Sequence, residues 1–325
     1  MPMIKTVVTV PIGEILPDAV ISAYFFLSQA NAFCQAQGRA PVFELTLAGI
    51  RRSNWLYEGH FGIRATPYQE IPAEVDLLII PGFLGERIPL EENQWLVQWV
   101  GNQYREHGTE VASMCTGAFV LAAAGLLDGK KCTTHWAFRQ DFMRLFPAAR
   151  LQTEKIITDQ DGIYTSAGAY SSLNLLLYLV EKFAGKDTAV WLSRVFQVDT
   201  RRNSQLPFMM LNQLFQHEDT PIKRVQEYVE KNFAEELRIS GLAEQFAMSP
   251  RTLVRRFKKA TGLSPLEYLQ QVRMEAAKRM LEQENKNVEE VIFDSGYRDG
   301  PTFRQVFKRS TGLTPSEYRR QYKRY

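Results

Sequence analysis

Cysteine and histidine are scarce in this chain of 325 residues: Cys34, Cys115 and Cys132, with His60, His107, His135 and His217. No spacing among them matches a zinc site, and three thiols argue against a disulfide-stapled scaffold and for a reducing interior. No basic, apolar and small-residue secretory pattern opens the chain. No charge-free apolar run is long enough to cross a bilayer; Val111–Leu127 comes nearest, but it holds Ser113, Thr116 and two Gly. A Gly-rich phosphate loop is also missing, since Gly82-Phe83-Leu84-Gly85 is too short for one. The expectation is a cytoplasmic protein without a metal, a cofactor or a membrane partner.

What the chain has instead is a passage written twice. Phe257-Lys258-Lys259-Ala260-Thr261-Gly262-Leu263-Ser264-Pro265 returns fifty positions later as Phe307-Lys308-Arg309-Ser310-Thr311-Gly312-Leu313-Thr314-Pro315. The likeness reaches upstream, where Leu242–Met248 matches Val291–Tyr297, and downstream to Glu267-Tyr268 and Glu317-Tyr318. The second copy carries one extra residue between Tyr297 and Phe307. Each copy reads as a short apolar helix, a tight break, a basic helix and a Gly-Leu-Ser/Thr-Pro exit, the order of a helix-turn-helix.

Local chemistry supports those helices. Ser249 can cap and Pro250 suits the first helical position, so a helix is expected over Arg251–Thr261, closed by Gly262. Leu253 and Phe257 should face the core, which leaves Arg251, Arg255 and Lys258 on another face, with Thr252 beside them. In the second copy Phe303 and Phe307 point inward, and Thr302, Arg304, Gln305 and Lys308 project elsewhere. Pro265–Leu281 reads as one connecting helix, roughly 25 Å long at 1.5 Å per residue. A connector of that size suits two recognition helices about 34 Å apart, one turn of duplex.

Charge follows the repeat. Residues 219–325 hold 21 Lys and Arg against 15 Asp and Glu, whereas residues 1–218 hold 18 against 21. Phosphate neutralisation supplies most sequence-independent affinity for DNA, so a basic module beside an acidic partner suits a DNA reader with a separate second task. Arg255 is the expected guanine reader, Gln305 an adenine reader, and Lys258 and Lys308 the expected phosphate contacts.

These residues carry a resemblance. Residues 222–320 resemble the AraC/XylS-type DNA-binding domain through Val291-Ile292-Phe293-Asp294-Ser295-Gly296-Tyr297, Phe303-Arg304-Gln305-Val306-Phe307-Lys308 and Gly312-Leu313-Thr314-Pro315-Ser316-Glu317-Tyr318-Arg319. Two departures stand out: Ile292-Phe293 enlarges a position usually small, and Gly300-Pro301 sits at the entrance of the second recognition helix. The second bears on the register of the base-contacting residues.

The first 200 residues alternate strand and helix patterns. Thr6–Val10, Phe43–Ala48, Leu77–Ile80, Glu110–Met114 and Ile163–Thr165 read as strands, and Ala19–Gln37, Asn93–Glu106, Gly117–Ala124 and Ser171–Phe183 as helices. The alternation implies a mainly parallel sheet covered on both faces, with ligands expected beyond the carboxyl ends of its strands. At Ser113-Met114-Cys115-Thr116-Gly117 a strand meets a helix at a sharp corner, as at a nucleophile elbow, where a helix N-terminus would lower the thiol pKa. Cys34 and Cys132 read as small buried hydrophobes. His135 could serve Cys115 or stand as a structural residue at the start of the next helix. Of the aromatic residues, Tyr24, Trp55 and Phe61 are expected to fill the core, while Phe83, Trp136 and Tyr170 are set apart as able to face the strand ends.

This half is similar to the PfpI-like branch of the class I glutamine-amidotransferase-like fold, a flavodoxin-like α/β sandwich, and the whole chain resembles GlxA-type regulators. The motifs are Asp76-Leu77-Leu78-Ile79-Ile80-Pro81-Gly82, Cys115-Thr116-Gly117-Ala118-Phe119-Val120-Leu121-Ala122, Gly125-Leu126-Leu127-Asp128-Gly129, Thr133-Thr134-His135-Trp136 and Thr165-Ser166-Ala167-Gly168. Enzymes of the branch carry a His directly after the elbow Cys and an acid near the first helix. Here Thr116 follows Cys115, Glu14 and Asp18 are the acids at hand, and Asn174 stands where related regulators often carry Asp.

The resemblance implies three parts: an effector-sensing α/β domain over residues 1–200, a linker over 201–218 with a short helix over Phe208–Phe215, and an all-α DNA-binding domain over 219–325 with two helix-turn-helix units. It implies a homodimeric transcription regulator without catalytic residues. A small metabolite would be held near Phe83, Cys115, Thr116, His135, Trp136, Tyr170 and Asn174, the DNA would be a double-stranded operator, and an activator would also meet RNA polymerase. The alternative is a cysteine-dependent hydrolase or amidase with a DNA-binding tail.

Overall fold

The computed structural model describes residues 2–323 apart from 86, 169, 201–203, 206–216, 284 and 285. Two compact units divide the chain, Met1–Gln205 and Leu206–Tyr325. The helix expected over Phe208–Phe215 lies outside the described residues. Among the described residues no helix is long and apolar enough to cross a membrane.

The first unit runs β1 (Ile4–Val10), α1 (Pro17–Ala36), β2 (Phe43–Gly49), β3 (Ser53–Leu56), β4 (Phe61–Arg64), β5 (Thr66–Pro67), β6 (Leu77–Ile80), α2 (Gln94–His107), β7 (Glu110–Ser113), α3 (Ala118–Ala123), β8 (Lys131–Cys132), α4 (Arg139–Leu145), β9 (Arg150–Leu151), β10 (Ile157–Gln160), β11 (Ile163–Ser166), α5 (Ser171–Ala184) and α6 (Lys186–Val195). Seven strands form one sheet in the order β10-β11-β7-β6-β1-β2-β5. All pair in parallel except β10, which lies antiparallel to β11 at the edge. Central strand β6 is Leu77-Leu78-Ile79-Ile80, buried throughout, because a parallel strand between helical layers has no solvent face. Helices α1, α5 and α6 pack together as one layer, and α2 packs on α3.

The five strands and four helices read from the sequence are all present, within a residue or two at their ends. The expectation that Tyr24, Trp55 and Phe61 fill the core is corrected: all three are exposed, Trp55 by 70%. Trp55 and Phe61 sit on the β3–β4 hairpin, which pairs with itself and stands outside the seven-stranded sheet. Its alternating apolar residues therefore have no second layer to pack against on their outer side.

The second unit is helical: α7 (Thr220–Lys231), α8 (Ile239–Gln245), α9 (Pro250–Thr261), α10 (Pro265–Gln283), α11 (Val288–Asp294), α12 (Gly300–Thr311) and α13 (Pro315–Tyr322). The pairs α8–α9 and α11–α12 are the two helix-turn-helix units, and α10 joins them. The duplication holds bond by bond. Thr261 and Thr311 each donate to the carbonyl of the Phe four residues before (2.8 Å each) and accept from the amide two residues on. Gly262 and Gly312 then close the helices at φ +81° and +79°, a left-handed cap that favours glycine. Ser264 with Glu267, and Thr314 with Glu317, bond reciprocally as capping boxes for the next helix. Tyr268 stacks edge-on against Phe257 and donates to Glu230; Tyr318 does so against Phe307 and donates to Glu282. The twice-written passage is thus a repeated set of hydrogen bonds and ring contacts.

Phe307 is fully buried among Phe303, Val291, Ile292 and Tyr318. Phe307→Ala should lower the stability of this unit by about 3–5 kcal/mol, the usual cost of removing a core ring. Urea unfolding followed by circular dichroism measures it, and a loss below about 1 kcal/mol would show that the second repeat contributes little to the cooperative core.

Candidate ligand site and nucleic-acid interface

The strand-to-helix corner of the first unit is strained. Cys115 adopts φ +55°, a left-handed conformation that costs a non-glycine residue roughly 1–3 kcal/mol. Its side chain is 4% exposed. A β-carbon added to Gly117 would stand 2.6 Å from the Ile80 carbonyl oxygen, and one on Gly82 would stand 2.9 Å from the Cys115 β-carbon, so the corner is pressed against the end of β6. A single 3₁₀ turn, Cys115–Gly117, precedes α3, which is only six residues long. The helix read over Gly117–Ala124 is therefore present as α3, but it does not begin at once after the Cys, and the intervening turn leaves little helix dipole at the sulfur.

Thr116 ties the corner to the neighbouring loop. Its Oγ1 accepts from the Phe83 amide (2.7 Å) and donates to the Phe83 carbonyl (3.0 Å). The Phe83 ring lies in the core, 2% exposed, which corrects the expectation that set it apart from core packing; the Ile15–Phe83 bridge turns it inward. What this residue offers the corner is its main chain. Glu14 and Asp18 are both exposed.

The loop after β8 meets the corner from the other side. Thr134 Oγ1 donates to the Cys115 carbonyl (2.9 Å). His135 Nδ1 accepts from the Ala137 amide (3.1 Å), which places the ring proton of the neutral imidazole on Nε2. The ring lies against Gly168, where an added β-carbon would fall 2.0 Å from Cδ2, and it tilts over Trp136 at 5.2 Å. Burial holds the imidazole below its ordinary pKa and pushes the Cys132 thiol up to about 12. Tyr170, just before α5, is 70% exposed. Asn174, one turn into α5, donates to the Asp199 carbonyl (2.9 Å).

Hydrogen bonds thus join Thr116 to the backbone of Phe83, and Thr134, bonded to the Cys115 carbonyl, brings the His135-Trp136 turn to the same corner. Asn174 belongs to a second place, an open groove of about 600 Å³ between β10, α5 and α6 that Lys155, Tyr178, Glu181 and Lys186 also line. Volume favours the groove and backbone strain favours the corner; strain is the more specific mark of a site, because a wide groove needs no cost to maintain. The hydroxyls of Ser113 and Ser171 are buried with no protein partner, so each can receive a bound polar group or water. Sequence reasoning passed over Thr134 as a site residue, although it stands in a quoted motif, and Gln205, which lay in apparent linker and left no signal.

On the second unit the buried and exposed faces of α9 and α12 fall where the spacing places them. Leu253 and Phe257 are buried, while Arg251, Arg255 and Lys258 are exposed; Phe303 and Phe307 are buried, while Thr302, Arg304, Gln305 and Lys308 are exposed. Thr252 is half-buried, with its hydroxyl engaged by the capping Ser249 at 2.9 Å. Asp299 caps α12 by accepting from the Thr302 amide, as Ser249 caps α9 through Thr252. The caps are fifty residues apart, so the extra residue is absorbed in the turn before Asp299, and Arg255 corresponds to Gln305 despite Gly300-Pro301. Arg304 is paired with Glu289. Of the enlarged pair, Ile292 is buried and Phe293 is exposed.

The DJ-1/PfpI family profile matches residues 53–182, and a helix-turn-helix domain profile matches residues 242–321. The chain joins a DJ-1/PfpI domain to an AraC-type helix-turn-helix domain. Along almost its full length it is similar to the HTH-type transcriptional regulator GbdR of Pseudomonas aeruginosa, 28% identical over 312 residues that cover 90% of this chain and 79% of that one. It is also similar to isonitrile hydratase of Pseudomonas putida, 32% identical over 124 residues, which cover 38% of this chain and 52% of that enzyme. The crystal structure of an AraC family transcriptional regulator from Pseudomonas putida shares the fold, with a TM-score of 0.50 at 22% identity, covering 60% of this chain and 100% of that one. The DJ-1/PfpI domain therefore supplies the corner, and the AraC-type domain the two helix-turn-helix units.

Within the DJ-1/PfpI domain, the depressed pKa of His135 fixes a pH dependence. The unfolded chain protonates this imidazole near pH 6.5 and the folded chain only at lower pH, so the contribution to stability is present above about 6.5 and is lost as pH falls toward the folded value. His135→Asn keeps a capping acceptor and removes the titration. Its urea midpoint should fall less than that of the wild type between pH 7.5 and 5.5, and equal falls would show that His135 is not the titrating group.

Proposed function

We propose that a small metabolite bound by the DJ-1/PfpI domain controls operator binding by the AraC-type domain of this regulator, without turnover. The observation that carries the reading is Thr116. At the position directly after the elbow Cys, a hydrolase of this type needs a base; here the side chain is a hydroxyl with both its donor and an acceptor site spent on the Phe83 main chain. His135 has Nδ1 engaged and its ring against Gly168. What is left is a strained, preformed corner with unsatisfied hydroxyls nearby, which suits binding better than bond cleavage. The candidate contacts are Cys115, Trp136 and Tyr170, with Thr116, His135 and the Phe83 main chain shaping the corner, while Asn174 lines the separate groove. A homodimer in the cytoplasm, acting on a double-stranded operator and on RNA polymerase where it activates, completes the reading.

Similarity to isonitrile hydratase over 124 residues supports the second reading, a cysteine-dependent enzyme with a DNA-binding tail. One set of measurements separates the two. A metabolite screen by thermal stabilisation of the full chain should find a compound that alters operator affinity and is recovered unchanged. Cys115→Ala should leave effector-free operator binding within about twofold and change the response to that compound. Consumption of the compound by wild type and not by Cys115→Ala would establish the enzyme instead.

For the DNA face, Arg255 is solvent-exposed on α9 opposite Leu253 and Phe257. Arg255→Ala should cost about 1–3 kcal/mol on the preferred operator and relax preference at one base pair, whereas Lys258→Ala should weaken all sequences alike. Titrations against operators varied one base at a time read the difference; equal loss on every variant would make Arg255 a phosphate contact.

A further inference from the structure

Gln205 is 1% exposed although it is the last residue of the first unit. Its side-chain amide is used at both ends. Nε2 donates to the carbonyls of Thr134 (2.9 Å) and Thr153 (2.5 Å), and Oε1 accepts from the Trp136 amide (3.2 Å). The main chain is fixed alongside, with the Gln205 amide donating to the Glu154 carbonyl (3.1 Å) and Ser204 bridging Lys155. Thr134, whose carbonyl Gln205 holds, is also the residue whose hydroxyl holds the Cys115 carbonyl. Two hydrogen bonds thus lead from the strained corner, through Thr134, to the residue that precedes the DNA-binding unit.

A residue at the boundary of a domain has no need of a buried glutamine side chain. Burying an amide is costly unless donors and acceptors are all met, and here Thr134, Thr153 and Trp136 meet them. Release of Gln205 would leave the Thr134 and Thr153 carbonyls and the Trp136 amide without this partner, so the segment is either seated or withdrawn, with little between. We propose that Gln205 is a positioning residue that couples the Cys115 corner to the DNA-binding unit: the arrangement of the corner biases whether the segment is seated, and DNA binding biases the corner in return, as linkage requires. This rests on the reading that the first unit governs the second, but it needs no knowledge of the metabolite.

The test uses hydrogen–deuterium exchange on the full chain, with and without an operator selected from random-sequence DNA by the same protein. In the wild type, operator should change the exchange rates of segments 113–119 and 133–138 together, by several-fold up to about tenfold, the scale of one buried hydrogen bond. Gln205→Met, of similar volume and without the amide, should still bind the operator but lose the DNA dependence at 113–119. Thr134→Val, which cuts the chain at the other bond, should do the same, and it carries the test if Gln205→Met does not fold. Exchange unaffected by operator in the wild type, or an equal operator effect in wild type and both variants, would overturn the proposal. Because no effector is added, a metabolite screen that finds nothing leaves this result standing, and a failed coupling test leaves ligand binding open.

Discussion

The first unit's candidate site depends on one constraint, the approach of the β7–α3 corner to the end of β6. Gly117 lies so close to the Ile80 carbonyl that no side chain fits there, and the chain can make this approach only by turning through a left-handed Cys115. Thr116 then reaches Phe83, and Thr134 reaches the carbonyl of Cys115. A strained residue persists only where its surroundings over-determine it. Here three loops do so, at the ends of β6, β7 and β8.

The same corner separates what a shared fold provides from what a site does. Similar corners serve different ends because the residues around the Cys decide whether a proton can be moved. A threonine hydroxyl satisfied on both sides and a histidine whose ring is wedged beside a glycine make a rigid wall. Rigidity favours recognition, since a ligand need not order the site in order to enter it.

Much of this was legible in the sequence, for physical reasons that differ from element to element. Leu77–Ile80 could be placed because a strand buried on both faces is apolar throughout, and α9 and α12 because capping residues, inward Phe pairs and Gly stops recur at one offset. The hairpin aromatics were misread because composition cannot say whether a second layer exists to cover them. Phe83 was misread because the Ile15–Phe83 bridge is a pairing between segments far apart in sequence. Gln205 was invisible for a related reason: its meaning lies in Thr134, Trp136 and Thr153, none of which it neighbours along the chain. Asn174 was marked by resemblance, and its bond to Asp199 gave it a location.

Helix α10 is a single rod of 19 residues, about 28 Å long, held to α7 by the Tyr268–Glu230 bond and to α13 by the Tyr318–Glu282 bond. Because it is continuous and clamped near both ends, it fixes the azimuth of one recognition helix relative to the other as well as their separation. Duplex DNA turns by roughly a tenth of a revolution per base pair. In the proposed complex, a single base pair inserted between the two half-sites would therefore rotate the second groove off the face that α12 can reach, which would make the domain a gauge of helical phase.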